Sequence, residues 1–321
     1  MNEPFTHNIA EGGKRMVIKS YKTILLFILQ IITLFTLSGC GKERNPKLVN
    51  EQSFSLKDIE ELAISYDDEE VSFFQSEGEN LMIREYMSKD KKSYHAKISQ
   101  NKKSIQIHEG GKPLMKGGFT RHVDVYLPGS YSKNLKVTVT DGNINMRDMH
   151  LNLNSMRVDC TSGTFELKKA VAGELYFSST SGTLKLGSIT GSQIRIETTH
   201  GEVNCEKVNG DVTYTSTSGN AEFLSASGSG TYRADNSGKL SVTYDEVTGD
   251  LFFFNKNDNV EVRLPAALSF EFEAYTKNGS VTTNFQADIS VNGDLTGGTV
   301  GKDPEVTVKV ETKNGNIEVR K

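Results

Sequence analysis

A short polar turn recurs nine times between residues 140 and 316 of this 321-residue chain, and alternating apolar residues follow each copy. The copies are Thr140-Asp141-Gly142, Thr161-Ser162-Gly163, Thr180-Ser181-Gly182, Thr199-His200-Gly201, Thr217-Ser218-Gly219, Asn236-Ser237-Gly238, Asn257-Asp258, Asn278-Gly279 and Asn314-Gly315. Aligned on the glycine, or on Asp258 in the seventh, the second position after it reads Ile144, Phe165, Leu184, Val203, Ala221, Leu240, Val260, Val281 and Ile317. All are apolar. The fourth position reads Met146, Leu167, Leu186, Cys205, Phe223, Val242, Val262, Thr283 and Val319, with mostly Asn, Glu, Lys or Ser between. A period of two keeps one side of a strand apolar, and a register that holds from turn to turn specifies stacked β-coils. The fold expected is therefore all-β: a β-solenoid of about nine coils of roughly 19 to 21 residues, ~40 Å long at ~4.8 Å per rung. A second glycine ahead of the turn, at Gly173, Gly191, Gly210, Gly230 and Gly249, gives each coil two or more short strands. Between Gly279 and Gly315 the spacing breaks, and Asn292 to Pro304 reads as a protruding loop.

The N-terminus reads as an address. Lys14, Arg15, Lys19 and Lys22 precede an apolar run from Ile24 to Leu37, which ends in Leu37-Ser38-Gly39-Cys40. The run is short against the ~20 residues that span a bilayer. It resembles the bacterial lipoprotein signal, which implies cleavage before Cys40 and lipidation of its thiol. Met16 reads as the true start, since residues 1–15 are polar and Glu11-Gly12-Gly13 is encodable by a purine-rich ribosome-binding stretch. Residues 1–39 are then a signal peptide and 40–52 a lipid-anchored linker. Residues 53–133 form an irregular β cap or first coils, and 134–321 the repeat domain. The expected location is the extracytoplasmic face of the cell membrane. Without residues 1–39 the chain keeps 33 Lys and Arg against 39 Asp and Glu, a net charge of −6. An acidic surface is not built for nucleic acid. Cys160 and Cys205 remain as thiols in different columns, two inert buried side chains rather than a disulfide.

Two Leu-Pro elements, Val123-Asp124-Val125-Tyr126-Leu127-Pro128 and Val260-Glu261-Val262-Arg263-Leu264-Pro265, accompany the Thr-Ser-Gly turns and the ending Val308-Lys309-Val310-Glu311-Thr312-Lys313-Asn314-Gly315-Asn316-Ile317. Together they resemble the bacterial "putative adhesin" β-strand-repeat family, a domain of unknown function found on surface lipoproteins and in envelope-stress operons. The resemblance covers about residues 55–321 and implies a right-handed solenoid. It carries over no catalytic residue.

Catalysis needs titratable groups that converge in a cleft, and His95, His108, His122, His150 and His200 are scattered. Asp67-Asp68-Glu69-Glu70 reads as a solvated hairpin rather than a cation site, and neither metal nor cofactor is expected. The departure from an ordinary surface is aromatic. Counting back from the turns puts Tyr232, Phe252, Phe254 and Tyr275 on one outer face of three consecutive coils, although a slip of one residue would bury Tyr232. That face is the candidate binding surface for an envelope protein or glycan. The leading reading is a monomeric, non-enzymatic adhesion or interaction module. An accessory of an envelope-stress signalling system is the alternative, and a polysaccharide-active enzyme the outsider.

Overall fold

In the computed structural model residues 45–114 and 118–321 are described; the residues read as a signal, with Leu37, Ser38, Gly39 and Cys40, lie outside them. The alternation of apolar and polar residues becomes twenty-one strands among the described residues. The N-terminal part contains β1 (Lys47–Ser55), β2 (Glu61–Tyr66), β3 (Glu70–Ser76), β4 (Asn80–Met87), β5 (Lys97–Gln100), β6 (Ser104–His108), β7 (Arg121–Pro128) and β8 (Asn134–Val139). Six long strands follow, β9 (Asn143–Cys160), β10 (Thr164–Ser179), β11 (Thr183–Thr198), β12 (Glu202–Ser218), β13 (Ala221–Ser237) and β14 (Leu240–Asn255). The C-terminal part holds β15 (Val260–Arg263), β16 (Phe270–Thr276), β17 (Val281–Thr283), β18 (Ala287–Asn292), β19 (Leu295–Val300), β20 (Val306–Thr312) and β21 (Ile317–Arg320).

From β9 to β14 each strand pairs in parallel with the next, so Phe165 stacks on Ile144, Leu184 on Phe165 and Val203 on Leu184. These columns are buried and make one continuous core. Within β10 the buried residues fall into three runs, Phe165 and Leu167, Ala170 and Ala172, then Leu175, Phe177 and Ser179, separated by exposed pairs at the bends. Each coil thus has three short sides. The turn glycines have a definite cause: Gly163 has φ +92°, and a Cβ there would lie 2.1 Å from the Gly142 carbonyl oxygen of the preceding coil. No side chain fits between rungs so close.

Beneath the turns runs an inward polar column that apolar periodicity does not announce. Ser179, Thr198, Ser216, Asn255, Thr276 and Thr312 are all buried. Apart from Thr198, whose hydroxyl donates to Ser216 Oγ at 3.0 Å, their side chains saturate turn backbone that would otherwise be orphaned. Ser179 Oγ accepts from the Gly182 N–H at 2.9 Å, Ser216 Oγ donates to the Ser218 carbonyl at 3.0 Å, and Asn255 Nδ2 donates to the Gly238 carbonyl at 2.6 Å.

At both ends the stacking order departs from chain order. β20 inserts between β14 and β16, pairing in parallel with each, and β21 inserts likewise between β15 and β17. The ninth turn therefore stacks on the seventh, and the eighth lies outside it. At the other end β2 sits between β6 and β8, and β3 between β7 and β9. Antiparallel strands then complete the sheets: β4 on β7, β1 on β4, β5 on β6, and the β18–β19 hairpin on β16. Two boundaries are corrected. Lys47 to Gln52, read as linker, belong to β1, and within the stretch read as a protruding loop from Asn292 to Pro304 residues Leu295–Val300 are the hairpin strand β19.

Candidate functional site

The aromatic face expected from the turn spacing does not form as counted. Tyr232 is fully buried, stacked on Phe253 at 5.1 Å with its hydroxyl 3.0 Å from that of Tyr244. The cause is an irregularity in the β12–β13 pairing: Ser216 faces Ala234 while Ser218 faces Ser237. One extra residue ahead of the sixth turn moves everything upstream by one, which reverses inside and outside. Phe252 and Phe254 do point outward, but each is half-buried under a cation, Lys309 Nζ 5.9 Å from the Phe252 ring and Arg233 4.4 Å from that of Phe254. Tyr275 is 41% exposed and lies two strands from Phe254, because Glu311 of β20 stands between them.

A different surface runs along the turn edge. Asp159, Ser178, Glu197 and Thr215 form one outward column on β9 to β12, and Thr161, Thr180, Thr199 and Thr217 form the next, at the turns. Between the columns lies an open groove of about 320 Å³, whose lining is dominated by hydroxyls. Its carboxylates are committed to neighbours. Arg157 donates two hydrogen bonds to Asp159, each 2.8 Å, and the Arg195 guanidinium pairs with Glu197. Ser178 Oγ donates to Asp159 at 2.7 Å, and the Tyr176 hydroxyl donates to Glu197 at 2.5 Å with Arg157 4.0 Å above its ring. What remains is an uncharged strip of threonine hydroxyls repeated at every rung. Sequence reasoning used these threonines as turn markers and missed them as a surface. Their near-equal spacing, 19, 19 and 18 residues, was the available signal.

The acidic run is not a solvated hairpin throughout. Glu69 occupies the place that glycine takes in later turns and is 4% exposed. Carboxylate oxygens of Asp68, Glu69 and Glu109 lie within 4.8 Å of one another. Lys112 stands among them, with Nζ 2.8 Å from Glu109, 3.4 Å from Glu69 and 3.9 Å from Asp67, and paired with Asp68. Arg121 Nη1 lies 2.8 Å from Glu109 Oε1 without an N–H directed at it, while Nη2 donates to the Gly111 carbonyl at 2.8 Å. Burial, reinforced by Glu109, pushes the Glu69 carboxyl up to about 8. An ammonium already holds the centre of the carboxylate cluster.

Cys160 and Cys205 are free and buried, and burial pushes their thiols up to about 11 and about 12. Such thiols are poor nucleophiles. Among the described residues no helix is long and apolar enough to cross a membrane.

A family model described as Toastrack DUF4097 matches residues 59–320. Similar solved structures include one described as a putative cell adhesion protein from Clostridium sporogenes, 11% identical, covering 86% of this chain and 99% of that one with TM-score 0.29. Others are described as putative adhesins. One is from Bacteroides fragilis (8% identity, 84% and 96% coverage, TM-score 0.36), and one from Parabacteroides merdae (15%, 85% and 96%, 0.34). No curated protein matches the chain.

Proposed function

The chain belongs to the Toastrack DUF4097 family, and from that premise we propose that it is a non-enzymatic lipoprotein, anchored through Cys40 on the outer side of the cell membrane, whose β-solenoid is an adhesion or interaction module. In this reading the coils wind right-handed and the segment before residue 134 closes their exposed edge. The observation that carries the proposal is the hydroxyl groove along β9 to β12. Side chains repeated at ~4.8 Å offer a donor and an acceptor at each step, which suits a linear ligand that itself repeats hydroxyls. A surface glycan is the ligand class this chemistry favours. The acids beside the groove pair with Arg157 and Arg195, so they support binding of a neutral chain and not acid–base work on it.

The lipidated protein should retain particular glycans on an array of envelope and host-surface saccharides. Changing Thr161, Thr180 and Thr217 together to valine keeps their shape and removes three hydroxyls. Binding should fall at least tenfold, since hydrogen bonds of about 1 kcal/mol each are lost, while the melting temperature stays near that of the wild type. Undiminished binding by the triple variant would move the contact elsewhere.

A further inference from the structure

The sheet made by β3, β7, β4 and β1 carries two outward rows of apolar and aromatic side chains near the N-terminal end. Strand partners share a face. Because Val71, Phe73, Val123, Val125, Leu81 and Ile83 point into the core, their neighbours point out. Pairing then sets Phe74 beside Tyr126 and Tyr126 beside Met82 in one row. It sets His122 beside Tyr86 and Tyr86 beside Leu48 in another. Phe74 is 38% exposed and Leu48 48%, and the other four are half-buried. Phe74 stacks on Tyr126 at 5.1 Å and Tyr86 on His122 at 4.4 Å. Between the rows, Arg84 pairs with Glu51 at 2.7 Å and lies 5.0 Å over the Tyr126 ring.

We propose that this face rests against the headgroup boundary of the lipid bilayer. The proposal depends on lipidation of Cys40 as argued above. Two features select the bilayer as occupant. The first is the tether. β1 pairs with β4 alone among the described strands, and its first residue, Lys47, follows Cys40 by seven positions. Seven extended residues reach at most ~25 Å. An acyl chain on Cys40 therefore holds this face at an effective concentration of order mM for the membrane, where even a weak contact is populated. The second is the chemistry. Tyrosine, histidine and arginine each present an apolar body with a polar tip, the combination suited to the level of the headgroups. The row between holds charges of both signs, Arg84 paired with Glu51 and facing Asp124 on β7, and Glu70 is exposed at the margin beside His122.

The chain contains no tryptophan, so Phe74→Trp introduces a single reporter. The full-length lipidated variant would be reconstituted into phosphatidylcholine vesicles, with and without bromine on the acyl chains. Emission from position 74 should shift to the blue and be quenched by the brominated lipid. A reporter placed by Tyr275→Trp should be quenched far less. Leu48→Trp reports on the same face independently if the first variant folds poorly. Flotation and labelling of Cys40 by radioactive palmitate read the anchor separately. Labelled, floating protein whose reporters at 74 and 48 escape quenching would overturn the proposal and leave the anchor standing. A blue shift that grows with protein density without bromine quenching would assign the face to a second copy and equally overturn it. Protein that neither labels nor floats would remove the anchor and the membrane face together.

Discussion

Leu184 and Lys185 are adjacent in sequence and lie on opposite sides of one sheet, Leu184 fully buried and Lys185 exposed with Nζ 2.7 Å from Glu166. Leu184→Asp places a carboxylate among Phe165 and Val203, the partners of Leu184 in the coils on either side. With no partner there, the charge costs several kcal/mol. Lys185→Asp removes one exposed ion pair worth at most about 1 kcal/mol. Thermal melts of the two variants should differ by many degrees, and equal shifts would mean that inside and outside are exchanged. At this scale the apolar columns were legible, because a period of two over nine copies leaves one assignment. Tyr232 was not, because a single extra residue between Ala234 and Ser237 reverses the side on which it lies. Nor was the buried column of Ser179, Thr198 and Ser216. Hydroxyls are tolerated there because each finds a partner, turn backbone for Ser179 and Ser216 and the Ser216 hydroxyl for Thr198, which no hydropathy pattern records.

The turn and the inserted strand are the elements that decide how coils stack. Gly163→Ala would place a methyl group 2.1 Å from the Gly142 carbonyl oxygen and force a positive φ on a residue with a Cβ. A cost of about 2–3 kcal/mol follows, since strain and clash act together. Gly293→Ala is the control, because only its φ of +60° is unfavourable and no atom lies within 4 Å of the added carbon. Denaturant midpoints of the two variants check the difference. The insertion of β20 predicts something that chain order would not. Ending the chain at Pro304 removes β20 and β21, which stand inside the stack, and leaves β14, β15, β16 and β17 without those partners. Limited proteolysis should then cut within residues 256–300 at protease levels that leave the intact protein whole. Cleavage no faster than in the full chain would contradict the inserted order. Repeats identify which strands are equivalent and leave open which equivalents touch. Parallel pairing between distant segments has no local signature, so the order at both ends could not be read from the sequence.

Across the whole molecule each coil touches only its neighbours, so a disturbance at one end should stay near that end. The Glu69 site supplies such a disturbance through pH. In the folded protein burial and Glu109 hold this carboxyl up to about 8, above the ordinary carboxylate range it returns to on unfolding. Between roughly pH 4.5 and 8 the folded state therefore binds the extra proton, and linkage requires stability to fall as pH rises through that window and to level off above it. The groups facing Glu69 are Glu109, Arg121, Asp67, Asp68 and Lys112. Glu69→Gln keeps the shape and removes the titration, so guanidinium midpoints of this variant should change less between pH 5 and 9 than those of the wild type. Hydrogen exchange adds the spatial half of the prediction. Raising pH to 9 should lower protection, after correction for the intrinsic rate, in β2, β3, β6 and β7, whose strands adjoin the site. Protection across β11 to β14 should be unchanged. A loss spread evenly over all coils would show that the solenoid opens as one unit, and the nearest-neighbour account of its stability would fail.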